Sequence, residues 1–169
     1  MQEYGKSGKE GVLVKGSNYL NLLTESDTIV LDKTGTITKG SFEVSKIILS
    51  AEITEEELLE TAAIAESMSN HPIAKSIVEK ANIKVNTQLI KEYKELAGLG
   101  VKVNYNEEEI IVGNSKLLEK ENVKYYKCKE IGAVVYVAKN KKYLGSIVIS
   151  DIIKEDSKIA IQEFKGGKL

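Results

Sequence analysis

The spacing of apolar residues changes character along the chain, and each change marks an element. Thr54-Glu55-Glu56-Glu57 precedes apolar positions at Leu58, Leu59, Ala62 and Ala63, a capping box opening a helix with one buried stripe. A second helix is predicted after His71-Pro72, because proline suits the first helical turn. Phe42, Val44, Ile47 and Leu49 fit a strand, as do Leu89–Leu96, Val101–Tyr105 and Ile110–Val112. Ser115–Glu119 fits a short helix, and Lys139-Asn140-Lys141 the turn of a hairpin. Together these elements predict an α+β unit, a sheet covered by helices, over Lys39–Tyr143.

Two further runs are apolar nearly throughout. Asp27–Leu31 and Gly145–Ser150 have the composition of strands buried on both faces of a parallel sheet, and they end on Asp32 and Asp151. We therefore expect them to share one sheet, into which the Lys39–Tyr143 unit is inserted. Gly11–Lys15 reads as a short strand, Ser17 as the cap of a short helix through Leu22 and Leu23, and Asp156 or Ser157 as the start of a final helix. Met1–Glu10 reads as a tail or tag. The expected fold class is α/β: an open, incomplete parallel sheet from Gly11–Thr38 and Leu144–Leu169, carrying the inserted α+β unit.

Composition narrows what such a fold could do. With 169 residues, 42% hydrophobic and 29% charged, the chain can bury a substantial core. Lysine and arginine total 24 against 25 acids, so no positive field is available to hold a nucleic acid or an anionic membrane. The single cysteine, Cys128, excludes an intrachain disulfide framework and fits a reducing compartment. No apolar run approaches the ~18 residues needed to cross a bilayer, so this stretch is expected to be soluble.

The densest chemical signal is Asp32-Lys33-Thr34-Gly35-Thr36-Ile37-Thr38. Ligands of open α/β sheets bind beyond the carboxyl ends of strands, where Asp32 is predicted to stand. An aspartate with an unperturbed pKa of ~3.9 is already an anion at neutral pH and can attack phosphorus directly, giving an acyl phosphate. Two anions ~4 Å apart nevertheless repel by roughly 4 kcal/mol at an effective dielectric of about 20. Lys33 and a magnesium ion would offset that repulsion, with the Thr34 hydroxyl and amides near Gly35 as donors. The plainer reading is a strand exit with ordinary turn residues.

These residues resemble the phosphorylation signature of P-type ATPases, cation pumps whose catalytic loop belongs to the haloacid dehalogenase superfamily. The resemblance runs from Gly11 onward. Ser69-Asn70-His71-Pro72 is similar to the Ser-Glu-His-Pro element of the heavy-metal branch, with Asn70 replacing the usual glutamate. Glu66 matches the branch's adenine-site glutamate, Gly98-Leu99-Gly100-Val101 its glycine motif, and Gly113-Asn114 its last nucleotide-contacting pair. The resemblance implies ATP at Glu66, His71, Gly98, Gly100, Gly113 and Asn114. It implies transfer to Asp32 assisted by Lys33 and Thr34, and magnesium held partly by Asp32 and Thr34. Lys39–Tyr143 would be the nucleotide-binding domain, and Gly11–Thr38 with Leu144–Leu169 an incomplete Rossmann-like phosphorylation domain of the haloacid dehalogenase type. Transmembrane and actuator domains of a pump at the cytoplasmic face of the cell membrane would be its partners. The wording around Gly16-Ser17-Asn18-Tyr19 is closest to cadmium/zinc exporters, with copper exporters next; the transported metal is expected to bind elsewhere.

Each match also has a plainer reading. His71 can cap a helix, the glycines can serve turns, and Glu66 can be an ordinary surface acid. Tyr125-Tyr126 reads as packing rather than a base platform. The family's Thr-Gly-Asp and Gly-Asp-Gly-x-Asn-Asp segments, which supply magnesium ligands, do not occur in this sequence, so the isolated polypeptide is expected to be catalytically incompetent. Asp151 and Lys154 resemble a hinge pair, with lysine where the family commonly has arginine. Two alternatives remain open: a non-catalytic nucleotide-binding module, and a soluble phosphatase of the dehalogenase superfamily. The phosphatase would normally carry an aspartate general acid where Thr34 stands.

Overall fold

A computed structural model describes residues 13, 15, 16, 18, 19, 22, 25–51 and 53–165. The tail Met1–Glu10, the strand residues Gly11 and Val12, and the capping residue Ser17 lie outside the described residues. The chain divides into two compact units, Met1–Ile37 with Ile153–Leu169, and Thr38–Ile152.

The Thr38–Ile152 unit is built on six strands: β1 (Thr38–Leu49), β2 (Ile90–Leu96), β3 (Gly100–Tyr105), β4 (Glu108–Gly113), β5 (Ala133–Lys139) and β6 (Lys142–Ile153). They lie in the order β1-β6-β5-β4-β3-β2, and the pairs from β2 to β6 are antiparallel. Two of the turns are two-residue loops with positive φ at both positions, Asn106-Glu107 (48° and 69°) and Asn140-Lys141 (49° and 63°). This geometry matches the right-handed twist of the flanking strands. The Asn140 side-chain oxygen accepts from the Glu109 amide at 2.9 Å and fixes the second turn to the neighbouring strand.

Three helices cover this sheet. Helix α1 (Glu55–Glu66) begins as its sequence predicts: the Thr54 hydroxyl accepts from the Glu57 amide at 3.2 Å, and three glutamates occupy the first turn. Its buried side includes Leu58, Leu59, Ala62 and Ala63. Helix α2 (Pro72–Ala81) starts at His71 and ends on Asn82 in the left-handed region (φ 49°). On the face they cover, Leu58 and Ile77 pack against Val101, Val103, Ile110, Val112, Val135 and Val137. Burying each such side chain contributes about 1.5–3 kcal/mol. Helix α3 (Ser115–Lys120) covers the other face, where Leu117 and Leu118 meet Ile111, Tyr136, Ala138 and Tyr143. Lys102 and Lys141 both pair with Glu109 and Glu121, tying the end of this helix to the sheet at 2.7–3.2 Å.

Tyr125 packs edge-on against Tyr136 at 4.9 Å and donates its hydroxyl to Glu119. Tyr126 is 79% exposed yet lies 6.1 Å from Tyr143. The tyrosine pair is therefore aromatic packing on the second face.

The placement of Gly145–Ser150 differs from the sequence expectation. This run does not return to the unit of Asp27–Leu31; it forms the middle of β6, hydrogen-bonded to β5, and lies within the Thr38–Ile152 unit. Its apolar composition has a physical cause, because the helices cover one side of it and the tyrosine cluster the other. Asp27–Leu31 consequently has no strand to pair with among the described residues. It forms no strand, and Val30 is 91% exposed. The Rossmann-like parallel sheet expected here is not formed by the described residues, while the mixed α/β class and the inserted α+β unit are observed.

In the other unit, helix α4 (Glu155–Lys165) starts one residue before the earlier of its two predicted starts. The Lys33–Ile37 segment is a wide turn. Thr34 (φ −81°, ψ 122°) and Gly35 (φ 83°, ψ −22°) take the two central conformations of a type II turn, the second of which requires glycine.

Candidate functional site

The end of α1, the start of α2, the loop between β2 and β3 and the end of β4 converge on one cavity of about 450 Å³. Glu66, His71, Gly98, Gly100, Gly113 and Asn114 all line it. Sequence reasoning drew these residues from four segments, and the fold places them together. The volume lies in the range usual for small-molecule sites.

Glu66 occupies the last turn of α1 and is only 8% exposed. Among the described residues its carboxyl makes no hydrogen bond or ion pair. Burial first, and then the charge of Glu95, pushes its pKa up to about 7. Near neutral pH such a group is divided between an acid that can donate and a carboxylate that can only accept.

His71 satisfies the plainer reading and leaves room for the functional one. Its Nδ1 accepts from the Ile73 amide at 3.2 Å, capping α2. A nitrogen that accepts carries no proton, so Nε2 holds the ring hydrogen and is the donor available to a ligand in the cavity.

The glycines divide into two kinds. Gly100 and Gly113 are direct partners across β3 and β4. A Cβ on Gly100 would lie 2.2 Å from the Val112 carbonyl oxygen, and one on Gly113 would lie 2.2 Å from that of Leu99. Both are needed for the backbones to approach, whatever the cavity holds. Gly98 has φ 70° with nothing near its missing side chain, so its requirement is conformational.

Asn114 also has a structural task. Its side-chain oxygen caps α3 through the Leu117 amide at 3.2 Å, while Nδ2 donates to the Gly98 carbonyl at 2.8 Å. It thereby holds the glycine loop against the end of β4. The Leu99 and Asn114 amides are likewise engaged, with Leu96 and Leu99 carbonyls.

Glu95 and Ser69 also line the cavity. Ser69 was quoted only within its motif, and Glu95 was missed. A signal for it exists in the strand register: Glu95 is the cross-strand partner of Val101, and Tyr93 of Val103, both core valines. Glu95 is itself exposed, so a charge registered against a core valine at the edge of the sheet marks an exception to the alternation.

Asp32, Lys33 and Thr34 lie in the other unit, all exposed. The Lys154 ammonium donates to the Gly35 carbonyl at 2.7 Å and the Lys154 amide to Ile37 at 3.0 Å, so the residue after β6 braces the turn that follows Asp32. Asp151 is bound elsewhere, accepting from the Thr38 hydroxyl at 2.5 Å and the Gly40 amide at 3.1 Å. Asp32 and Thr34, the part of a magnesium site expected in this chain, stand two residues apart in this exposed segment. Among the described residues no three His, Cys, Asp or Glu side chains gather to hold one.

The chain is 44% identical over 161 residues to a cadmium, zinc and cobalt-transporting ATPase of Bacillus subtilis, covering 95% of this chain and 23% of that protein. It is 42% identical over 161 residues to a zinc-transporting ATPase of Synechocystis, covering 95% and 22%. The chain thus spans less than a quarter of the length of these relatives. Among solved structures, the catalytic domain of the CPx-ATPase CopB-B, studied for conformational changes upon nucleotide binding, superposes with a TM-score of 0.68 at 30% identity. That match covers 98% of this chain and 60% of the other. A zinc-transporting PIB-type ATPase in its E2.Pi state gives a TM-score of 0.63 at 28% identity, over 81% and 23%. The model of the haloacid dehalogenase-like hydrolases matches residues 26–168, and the chain belongs to that family.

Proposed function

We propose that this chain is the nucleotide-binding and phosphate-accepting region of a heavy-metal P-type ATPase, and that ATP binds in the cavity of the Thr38–Ile152 unit. The observation that carries the reading is the convergence of Glu66, His71, Gly98, Gly100, Gly113 and Asn114 on one cavity. In this assignment Glu66 and the Nε2 hydrogen of His71 receive the base. Gly98 keeps the wall beside it free of side chains, and Asn114 holds the loop in place. Gly100 and Gly113 act through the backbone geometry they permit.

The reaction we assign is attack by the Asp32 carboxylate on the γ-phosphorus of ATP. A carboxyl oxygen–phosphorus bond forms, the bond from that phosphorus to the β,γ-bridging oxygen breaks, and ADP leaves with the electron pair. Lys33 contributes positive charge beside the nucleophile, and Thr34 a hydroxyl donor. Magnesium, when bound, would supply charge neutralisation on the phosphates. In the parent pump, membrane-spanning and actuator domains would couple this step to export, with the region on the cytoplasmic face. Cadmium or zinc is the proposed cargo, in line with the names of the relatives at 44% and 42% identity.

The test has two arms. Isothermal titration of this chain with ATP should show saturable binding, and no binding at millimolar nucleotide would refute the cavity assignment. In the full-length pump, γ-labelled ATP should leave an acid-stable, hydroxylamine-labile adduct that Asp32→Asn abolishes with nucleotide affinity nearly unchanged. Labelling of the asparagine variant would remove Asp32 as the nucleophile.

A further inference from the structure

The cavity contains a second acid to which no role has been given. Glu95, an exposed residue of β2, lines it together with Glu66 at the end of α1. Glu66 is nine-tenths buried and unpartnered among the described residues, so the protein keeps a polar group facing a space it does not itself satisfy. Such a group is costly unless a ligand completes it. The charge of Glu95 also orients what enters: a triphosphate carries several negative charges and is repelled from it, so the uncharged base must face this wall of the cavity.

We propose that Glu95 is a specificity-determining residue of the cavity, acting with Glu66 to require a base that presents an exocyclic amino group and to reject one that presents an oxo group at the same position. The assignment rests on the nucleotide reading above. The chemistry follows from donor and acceptor counts. An amino group such as that of adenine offers two hydrogens. One, with the adjacent ring nitrogen, matches the acid form of Glu66, which both donates and accepts; the other meets the Glu95 carboxylate. An oxo group offers only lone pairs and sets oxygen against the Glu95 oxygens, leaving acceptors unpaired, which is the contact that discriminates most strongly in binding sites. Two neighbouring groups respond to Glu95 as this arrangement requires. Its charge contributes, after burial, to raising both Glu66 and the Tyr93 hydroxyl.

The experiment compares ATP with ITP, which carries an oxo group where ATP has its amino group, by isothermal titration of the whole chain. The unsubstituted protein should bind ATP at least tenfold more tightly than ITP. Glu95→Gln, whose amide can donate to an oxo group, should bring the two affinities within about threefold, chiefly by improving ITP. Glu95→Ala should narrow the ratio by weakening ATP. Glu92→Gln, on the same strand but outside the cavity, should leave the ratio unchanged. Circular dichroism confirms that each variant is folded. An unaltered ratio in both folded Glu95 variants overturns the proposal. Equal binding of ATP and ITP by the unsubstituted protein overturns it while leaving the nucleotide reading intact, and absence of binding by either overturns both.

Discussion

Replacing Glu66 by glutamine should stabilise the protein at alkaline pH and not at acid pH. The ordinary carboxyl value of 4.5 applies in the unfolded chain, and burial with the Glu95 charge raises it to about 7 in the folded one. Between those values the folded state holds a proton that the unfolded state has released, so unfolding stability falls as pH rises through this window. Below 4.5 both states are protonated and the group contributes nothing; above about 7 the full penalty applies. At about 1.4 kcal/mol per tenfold in the proton equilibrium, the difference amounts to roughly 3 kcal/mol. Glutamine does not titrate, and whatever its amide costs in the cavity is independent of pH. Urea unfolding of both proteins at pH 5 and pH 8, followed by circular dichroism, isolates the effect. Part of the penalty is already present at pH 5, so the variant should gain roughly 2.5 kcal/mol relative to the parent between the two conditions. Every other titrating group is common to both proteins and cancels. A stability difference that is the same at both pH values would refute the account of Glu66 as a carboxyl held in acid form by its surroundings.

Two further substitutions separate folding from binding. Gly100→Ala would drive a methyl group to 2.2 Å from the Val112 carbonyl and should cost more than about 3 kcal/mol, unfolding much of the unit. Gly98→Ala meets no atom and should cost only about 1 kcal/mol for its positive φ; thermal melts showing equal losses would refute the distinction. His71→Ala should lower stability by about 0.5–2 kcal/mol by removing the α2 cap, and His71→Asn should restore most of it. If Nε2 meets the base, both variants should bind ATP three- to tenfold more weakly. Unchanged affinity in the asparagine variant would confine His71 to capping.

The elements that could be read from the sequence are those whose signals are local. Thr54 with its three glutamates, His71-Pro72, and Lys139-Asn140-Lys141 each specify a start or a turn through neighbours a few residues away, and the fold places all three as expected. The misplaced run was Gly145–Ser150. A central antiparallel strand covered on both faces is as apolar as a parallel one, so composition cannot distinguish the two; only pairing with β5 does. The residues that line the cavity were legible because they lie in short motifs. What the motifs could not reveal is the structural task of those residues: the cap made by His71, the bracing by Asn114, and the contact between Gly100 and Gly113. Glu95 escaped because its position depends on register across β2 and β3.

The clasp between Asp151 and the first residues of β1 bears on how such a molecule could have been assembled. The Thr38 hydroxyl and the Asp151 carboxylate are 2.5 Å apart, so the larger unit receives and releases the chain at one place. In the smaller unit the Lys154 amide reaches the Ile37 carbonyl at 3.0 Å, so its two segments are already joined by a hydrogen bond where they part. A loop's entropic demand on its host grows only with the logarithm of its length, and falls further when a folded insert holds its own ends together. To the host the whole Thr38–Ile152 unit therefore weighs little more than a tight turn. A gene segment encoding it could enter or leave such a host at a single peptide junction, and domains with adjacent termini tolerate this exchange well.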